Sequence, residues 1–238
     1  MKNLYSCLII LTFFTSCNSD TEALQDGTDN GILHRGINEP LPLITSNPFD
    51  NAGRLHDELF ESYYESVNLP TSIPDIISRV ETIAGTNTTF IEMKETNYYS
   101  VSPDRIQYIV EHKNTCVAEI IASSSLTAAA KVSLSEFINS LIVLFPTESS
   151  GDALSDFVIK YENAVSANPL FTTNDKKIML ISTSVARHSV CMARKRPKKN
   201  TDPDWIIFVG NIIAGTEGSE ESSAKAVTMA LVSGIVQN

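Results

Sequence analysis

The chain has 238 residues, with 18 Lys and Arg against 28 Asp and Glu, a formal net charge of −10. A hydrophobic fraction of 42% is ordinary for a folded domain and too high for disorder. The acidic balance excludes general nucleic-acid binding, which needs a basic footprint, and four Cys are too few for a disulfide scaffold and lack zinc-ligand spacing.

The chain opens with Lys2 as a positive n-region and a short apolar run from Leu8 to Phe14. A stable membrane span needs about 20 apolar residues, so residues 1–16 read as a cleaved export signal. The next residues, Phe14-Thr15-Ser16-Cys17, resemble a bacterial lipobox. That resemblance implies that Cys17 becomes the first mature residue and carries palmitoyl-type acyl chains through its thiol and amine. Two or three chains hold a protein durably at a membrane without a span. The acidic run Asn18-Ser19-Asp20-Thr21-Glu22 resembles the surface-export signal of Bacteroidota lipoproteins. The expected location is the outer membrane, lipid-anchored, with the cell surface favoured over the periplasmic face.

Residues 17–46 carry Asp, Gly, Asn and closely spaced prolines with little apolar periodicity, the composition of a flexible tether. Residues 47–238 form the expected single helical domain. Asn47 suits a helix N-cap and Pro48 the first helical position. Phe49, Ala52, His56, Leu59, Phe60, Tyr63 and Val67 then recur at helical spacing until Pro70 stops the run. Ser72-Ile73-Pro74-Asp75 opens a second helix towards Ala84. Residues 86–101, rich in Thr and Tyr, fit either a small β excursion or an ordered loop. Ser102-Pro103-Asp104 opens another helix, followed by helices over 115–130 and 133–145, the latter with a Ser133/Glu136 capping box. Helices over 152–167, 174–195, 205–214 and 222–236 complete a mostly α, irregular multi-helix bundle. The stretch 205–214 holds ten residues, about 15 Å of helix and half a hydrocarbon thickness. It and the apolar face of 222–236 are expected to pack inside the domain.

No constellation announces a reaction. Arg54, His56, Asp57, Glu58 and Glu61 crowd the first helix without a second His at metal-ligand spacing, so His56 reads as structural, on the inner or boundary face and hydrogen-bonded to a neighbouring helix, with Asp57 and Glu58 towards solvent or the helix N-terminal half. No metal ligands and no cofactor site are expected. His112 and His188 stand outside any nucleophile motif. Cys116 and Cys191 fit two separate buried thiols better than a disulfide. The bases Arg194, Lys195, Arg196, Lys198 and Lys199 fit a helix C-terminus and solvated loop better than a headgroup site. Gly210, Ala214 and Gly218, four apart, fit close helix packing.

The segment Asn47-Pro48-Phe49-Asp50-Asn51-Ala52-Gly53-Arg54-Leu55-His56-Asp57-Glu58 resembles the start of a Bacteroidota lipoprotein family in which Asn-Pro-aromatic-Asp leads to Gly and then His-Asn/Asp-Glu. The Trp205-initiated C-terminal segment is similar to that family's tail, with fewer glycines and more acids. The resemblance implies no catalytic residues. It singles out Asn47, Asp50, Gly53, His56 and Glu58 as candidates for a functional or structural motif. The favoured function is a non-enzymatic, membrane-anchored lipoprotein that binds a protein or envelope partner. The alternatives are an enzyme whose site is dispersed over distant helices and a membrane-active protein using its C-terminal helices.

Overall fold

A computed structural model describes residues 45–113, 115–145, 151–192 and 204–238, the last three residues of segment 151–192 and the first of 204–238 being helical like their surroundings. These residues belong to one compact unit, built from ten helices with no strand among the described residues. The stretches read as export signal and tether, residues 1–44 with Cys17 among them, and the basic run 194–199 lie outside the described residues.

Local chemistry places most helix starts where the sequence puts them. Ser72 caps α2 (Ile73–Ala84) by accepting from the Asp75 amide, and Ser102 caps α4 (Pro103–His112) through Arg105. Both helices carry Pro in the first turn, where the missing N–H costs nothing. The first helix differs in detail. α1 (Asp50–Tyr64) begins three residues after Asn47 and has no side-chain cap at Phe49. Asn47 instead folds an Asx turn, accepting from the Phe49 amide at 2.8 Å.

Three expected stretches come out differently. Residues 86–101 contain neither strand nor plain loop throughout: Asn87 caps a short helix, α3 (Thr88–Met93). The helix expected over 115–130 is two helices, α5 (Cys116–Ser123) and α6 (Ala128–Leu144). The break falls where Ser124 is extended and Thr127 caps α6 through the Ala130 amide. α6 therefore starts before Ser133, which sits inside it and meets the Tyr161 hydroxyl at 3.0 Å rather than forming a capping box.

α7 (Gly151–Ala167), α8 (Thr173–Met192), α9 (Asp204–Ser219) and α10 (Ser223–Val236) follow. α10 is enclosed on all sides: every residue from Ala224 to Ile235 is buried. It lies against α9 most extensively, and against α1, α2, α4 and α8. A short helix with one charge, Lys225, can be surrounded this way because its side chains need no water-facing stripe. The Lys225 ammonium leaves the core at the helix start, donating to the Tyr99 and Ser100 carbonyls.

Small residues set the α9–α10 distance. A Cβ on Gly218 would stand 2.7 Å from the Ala226 backbone, so the two chains meet where no side chain fits. The expected close packing of Gly218 is thus main chain against main chain. No helix among the described residues is long and apolar enough to cross a membrane.

Two apolar cores result. One joins α1–α5 with α10 and parts of α8 and α9; the other joins α6, α7 and the rest of α8 and α9. α8 runs between them, buried continuously from Ile178 to Val190. Its polar members, Ser182, Thr183, Ser184, Arg187, His188 and Ser189, therefore need partners inside the protein.

Candidate functional site

Those partners come largely from α1. Gly53 brings the two helices into contact, because a Cβ there would collide with the Ser184 carbonyl and the His188 ring. At this close approach the Gly53 amide donates to Ser184 Oγ at 2.9 Å, and Ser184 Oγ donates to the Asp50 carbonyl at 3.1 Å. Ser184 is thereby committed to joining two helices.

Asp50 and Asp57 lie two turns apart on α1 and straddle His188. His188 Nδ1 donates to Asp57 Oδ2 at 2.7 Å, while its Nε2 stands 3.6 Å from Asp50 Oδ1, an ion-pair contact. Burial disfavours the imidazolium, but the two carboxylates outweigh it and hold the His188 pKa above its ordinary value. The Asp50 carboxyl also pairs with Arg187, whose side chain is fully buried. Burial alone would raise the Asp50 pKa; the His188 contact and the Arg187 charge hold it below the usual carboxylate range.

Glu162 of α7 closes the cluster. It is 1% exposed and lies 3.6 Å from Arg187 Nε. Its other contacts go to the incoming chain: Asn47 Nδ2 donates to Glu162 Oε1 at 2.8 Å, and Thr45 Oγ1 to Oε2 at 2.8 Å. Asn47 Nδ2 also donates to the Leu180 carbonyl of α8. Ser46 adds an exposed bond to Asn163. Residues 45–47, the last of the expected tether and the first of the domain, are thus fastened to α7 and α8.

His56 occupies the same seam in a different way. It is completely buried, and neither ring nitrogen has a hydrogen-bond partner. The inner-face position agrees with the sequence reading; the hydrogen bond to a neighbouring helix is not made. Burial drives its pKa down to about 4, against a pull upward from Asp57, with His188 adding to the fall. Asp57, expected towards solvent or the helix N-terminal half, turns inward, where the buried His188 Nδ1–H needs an acceptor.

Of the five residues singled out by resemblance, Asn47, Asp50, Gly53 and His56 converge on this seam, and Glu58 does not. Glu58 is exposed and accepts from Asn87 at the start of α3. Arg187 and Glu162 escaped the sequence reading altogether. A signal was available for Arg187: Arg187 and His188 are the only ionisable side chains between Lys177 and Cys191 of α8. Cys116 is a buried free thiol whose pKa burial pushes up to about 11, while the Cys191 side chain lies outside the described residues.

Chemically, the seam holds Asp50, Asp57, Glu162, Arg187 and His188 in fixed mutual positions. The described residues include no group of three or more His, Cys, Asp or Glu able to hold a metal ion. An open surface hollow lined by Lys94, Glu95, Thr96, Asn97 and Tyr99 belongs to the loop after α3 and shares no residue with the seam. No family model, curated protein or solved structure matches this chain.

Proposed function

We propose that this protein is a lipid-anchored lipoprotein of the bacterial outer membrane, a member of the Bacteroidota group it resembles, and that it works by binding an envelope or protein partner rather than by catalysis. The observation that carries the reading is the fastening of residues 45–47 to the domain. Glu162 and the Leu180 carbonyl take up the Asn47 amide, so a chain arriving from Cys17 meets a fixed point on the helical unit. A rigid body held on a lipidated leader of about 28 residues is suited to presenting a surface at the membrane.

The polar side chains of the α1 motif support the non-catalytic part of the reading. Asp50 and Asp57 are engaged with Arg187 and His188, and Ser184 is tied to Gly53 and Asp50, which accounts for the motif as a fold element. The burial of α10 on every side counts against the membrane-active alternative. Its 14 residues give about 21 Å of helix, short of the roughly 30 Å hydrocarbon core.

The test is fractionation and intact-mass analysis of the full chain expressed in a Bacteroidota host. The wild type should fractionate with the outer membrane and carry acyl mass on an N-terminal Cys17. Cys17→Ser should be released in soluble form. An unacylated mature N-terminus at another residue, or a Cys17→Ser protein that stays with membranes, overturns the assignment.

A further inference from the structure

We propose that the α1–α8 seam is an acid-opened clamp: charging His56 levers α1, together with the fastened residues 45–47, away from α7 and α8 while the other helices remain folded. The geometry supplies the reason. His56 has no exposed surface and no partner for either ring nitrogen, so a proton on it would create an unsolvated charge. The neighbouring seam already holds the Arg187 guanidinium and the His188 imidazolium, and both aspartates are engaged with them. A third cation has no free counter-charge to draw on except the unbonded Asp57 Oδ1. Relief comes most directly by exposing His56 to water, which means moving α1.

The charges on the helices packed at the seam set this balance. α1 contributes Asp50 and Asp57, α7 contributes Glu162, and α8 contributes Arg187 and His188. The charges of the other neighbours are committed elsewhere. Arg79 of α2 donates to the Val67 carbonyl, and Glu81 accepts from the Tyr98 hydroxyl. Glu217 of α9 pairs with Arg105, and Lys225 of α10 holds the Tyr99 and Ser100 carbonyls. Glu58 faces Asn87 of α3.

The order of events follows from the sign of each linkage. The His56 pKa is lower in the folded protein than its ordinary 6.5, so its effect begins below pH 6.5 and is complete below about 4. The His188 pKa is raised, so its contribution is fully present below pH 6.5 and is lost only as the pH rises through the folded value. Asp50 and Asp175 are both held below 3.8, so their contributions fade only at still lower pH. Between pH 6.5 and 4 the acid response of these groups therefore belongs to His56. Asp175 fastens the far end of α8 to Thr127 and Thr172, which keeps that end closed while the α1 seam opens.

The test is hydrogen exchange of the full chain in detergent from pH 7 to pH 4, corrected for intrinsic exchange and read peptide by peptide. In the wild type, protection of α1 should fall about 100-fold across this range while α6 keeps its protection, the factor expected from moving one histidine from 6.5 to about 4. His56→Leu should leave α1 protection flat over the same range. Histidine NMR on the wild type gives a second readout that needs no variant: the His56 signal should titrate together with the loss of α1 protection. Three results would overturn the clamp. They are α1 protection independent of pH, simultaneous loss in α1 and α6, and His56 titrating near 6.5 with α1 still closed. Opening of His56→Leu at the wild-type pH would do the same.

Discussion

Replacing Arg187 with Met isolates the charge chemistry of the seam from its packing. Methionine keeps most of the aliphatic volume of the fully buried arginine stem, so the change removes charge and donors more than bulk. What remains is Glu162, 1% exposed, with Asn47 and Thr45 as donors and no cation beside it, and Asp50 without its guanidinium partner. Breaking a buried pair from one side costs about 3–5 kcal/mol, because the surviving charge stays buried. For a domain of this size that lowers Tm by roughly 6–20 °C. Urea unfolding at pH 7 followed by helical circular dichroism, with the slope unchanged between variants, measures the loss directly. The double variant Arg187→Met/Glu162→Gln removes the stranded carboxylate and should recover about 1–3 kcal/mol relative to the sum of the single changes. Arg105→Met serves as the control. Arg105 pairs with Glu217 at 2.7 Å, but both side chains are more than a quarter exposed, and that variant should cost about 1 kcal/mol or less. An Arg187→Met loss as small as the control, or strictly additive single costs, would refute the claim that burial makes this pair structural.

Two further outcomes concern α9 and α10. Gly218→Ala should destabilise the protein by about 1–3 kcal/mol, because its new Cβ meets backbone that cannot yield. Gly215→Ala should cost less, since its nearest neighbour is the Val185 side chain at 3.2 Å; equal melting temperatures for the two variants would contradict this account. Deleting residues 204–238 removes Val227, Met229, Leu231, Val232 and Ile235 from the core, each worth about 1.5–3 kcal/mol. The shortened chain should aggregate or unfold in size-exclusion and melting experiments, and a monomer with unchanged Tm would show that these helices are not core.

The mostly α architecture was legible because caps and apolar spacing repeat the same message along the chain. Ser72, Ser102 and Ser222 each precede a helix and accept from the amide three residues on. Helix boundaries were less legible where a cap lies inside a helix-forming stretch. Thr127 breaks residues 115–130 into two helices because Asp175, far away in sequence, fixes both its amide and its hydroxyl. Asn47 shows the same limit from the other side. Its type suits a cap, but the Glu162 carboxylate and the Leu180 carbonyl claim its amide group, and α1 starts three residues later. In the seam, the α1 half was visible through the motif resemblance that singles out Asn47, Asp50, Gly53 and His56, which follow one another at three-residue steps. The α8 half was less visible: Arg187 and His188 stand out as ionisable residues in an otherwise uncharged stretch, but a segment buried from Ile178 to Val190 has no exposed stripe from which to read its facing.

The composition of the seam argues for a role in register. Apolar residues of similar volume would bury as much surface without the desolvation cost that Asp50, Arg187, His188 and Glu162 incur. Apolar packing alone, however, leaves a helix free to slide by a turn on its neighbour, since one hydrophobic ridge fits the next groove almost as well. Here Asp50 and Asp57 bracket His188, and Gly53 between them admits the close contact with Ser184. A slip of one turn, about 5.4 Å, would carry Asp57 away from His188 and push Phe49 or Asp57 into a contact that only glycine allows. It would also pull Asn47 away from Glu162. The charged seam therefore fixes one position of α1 along α8, and Glu162, which pairs with Arg187 in it, also holds Thr45 and Asn47.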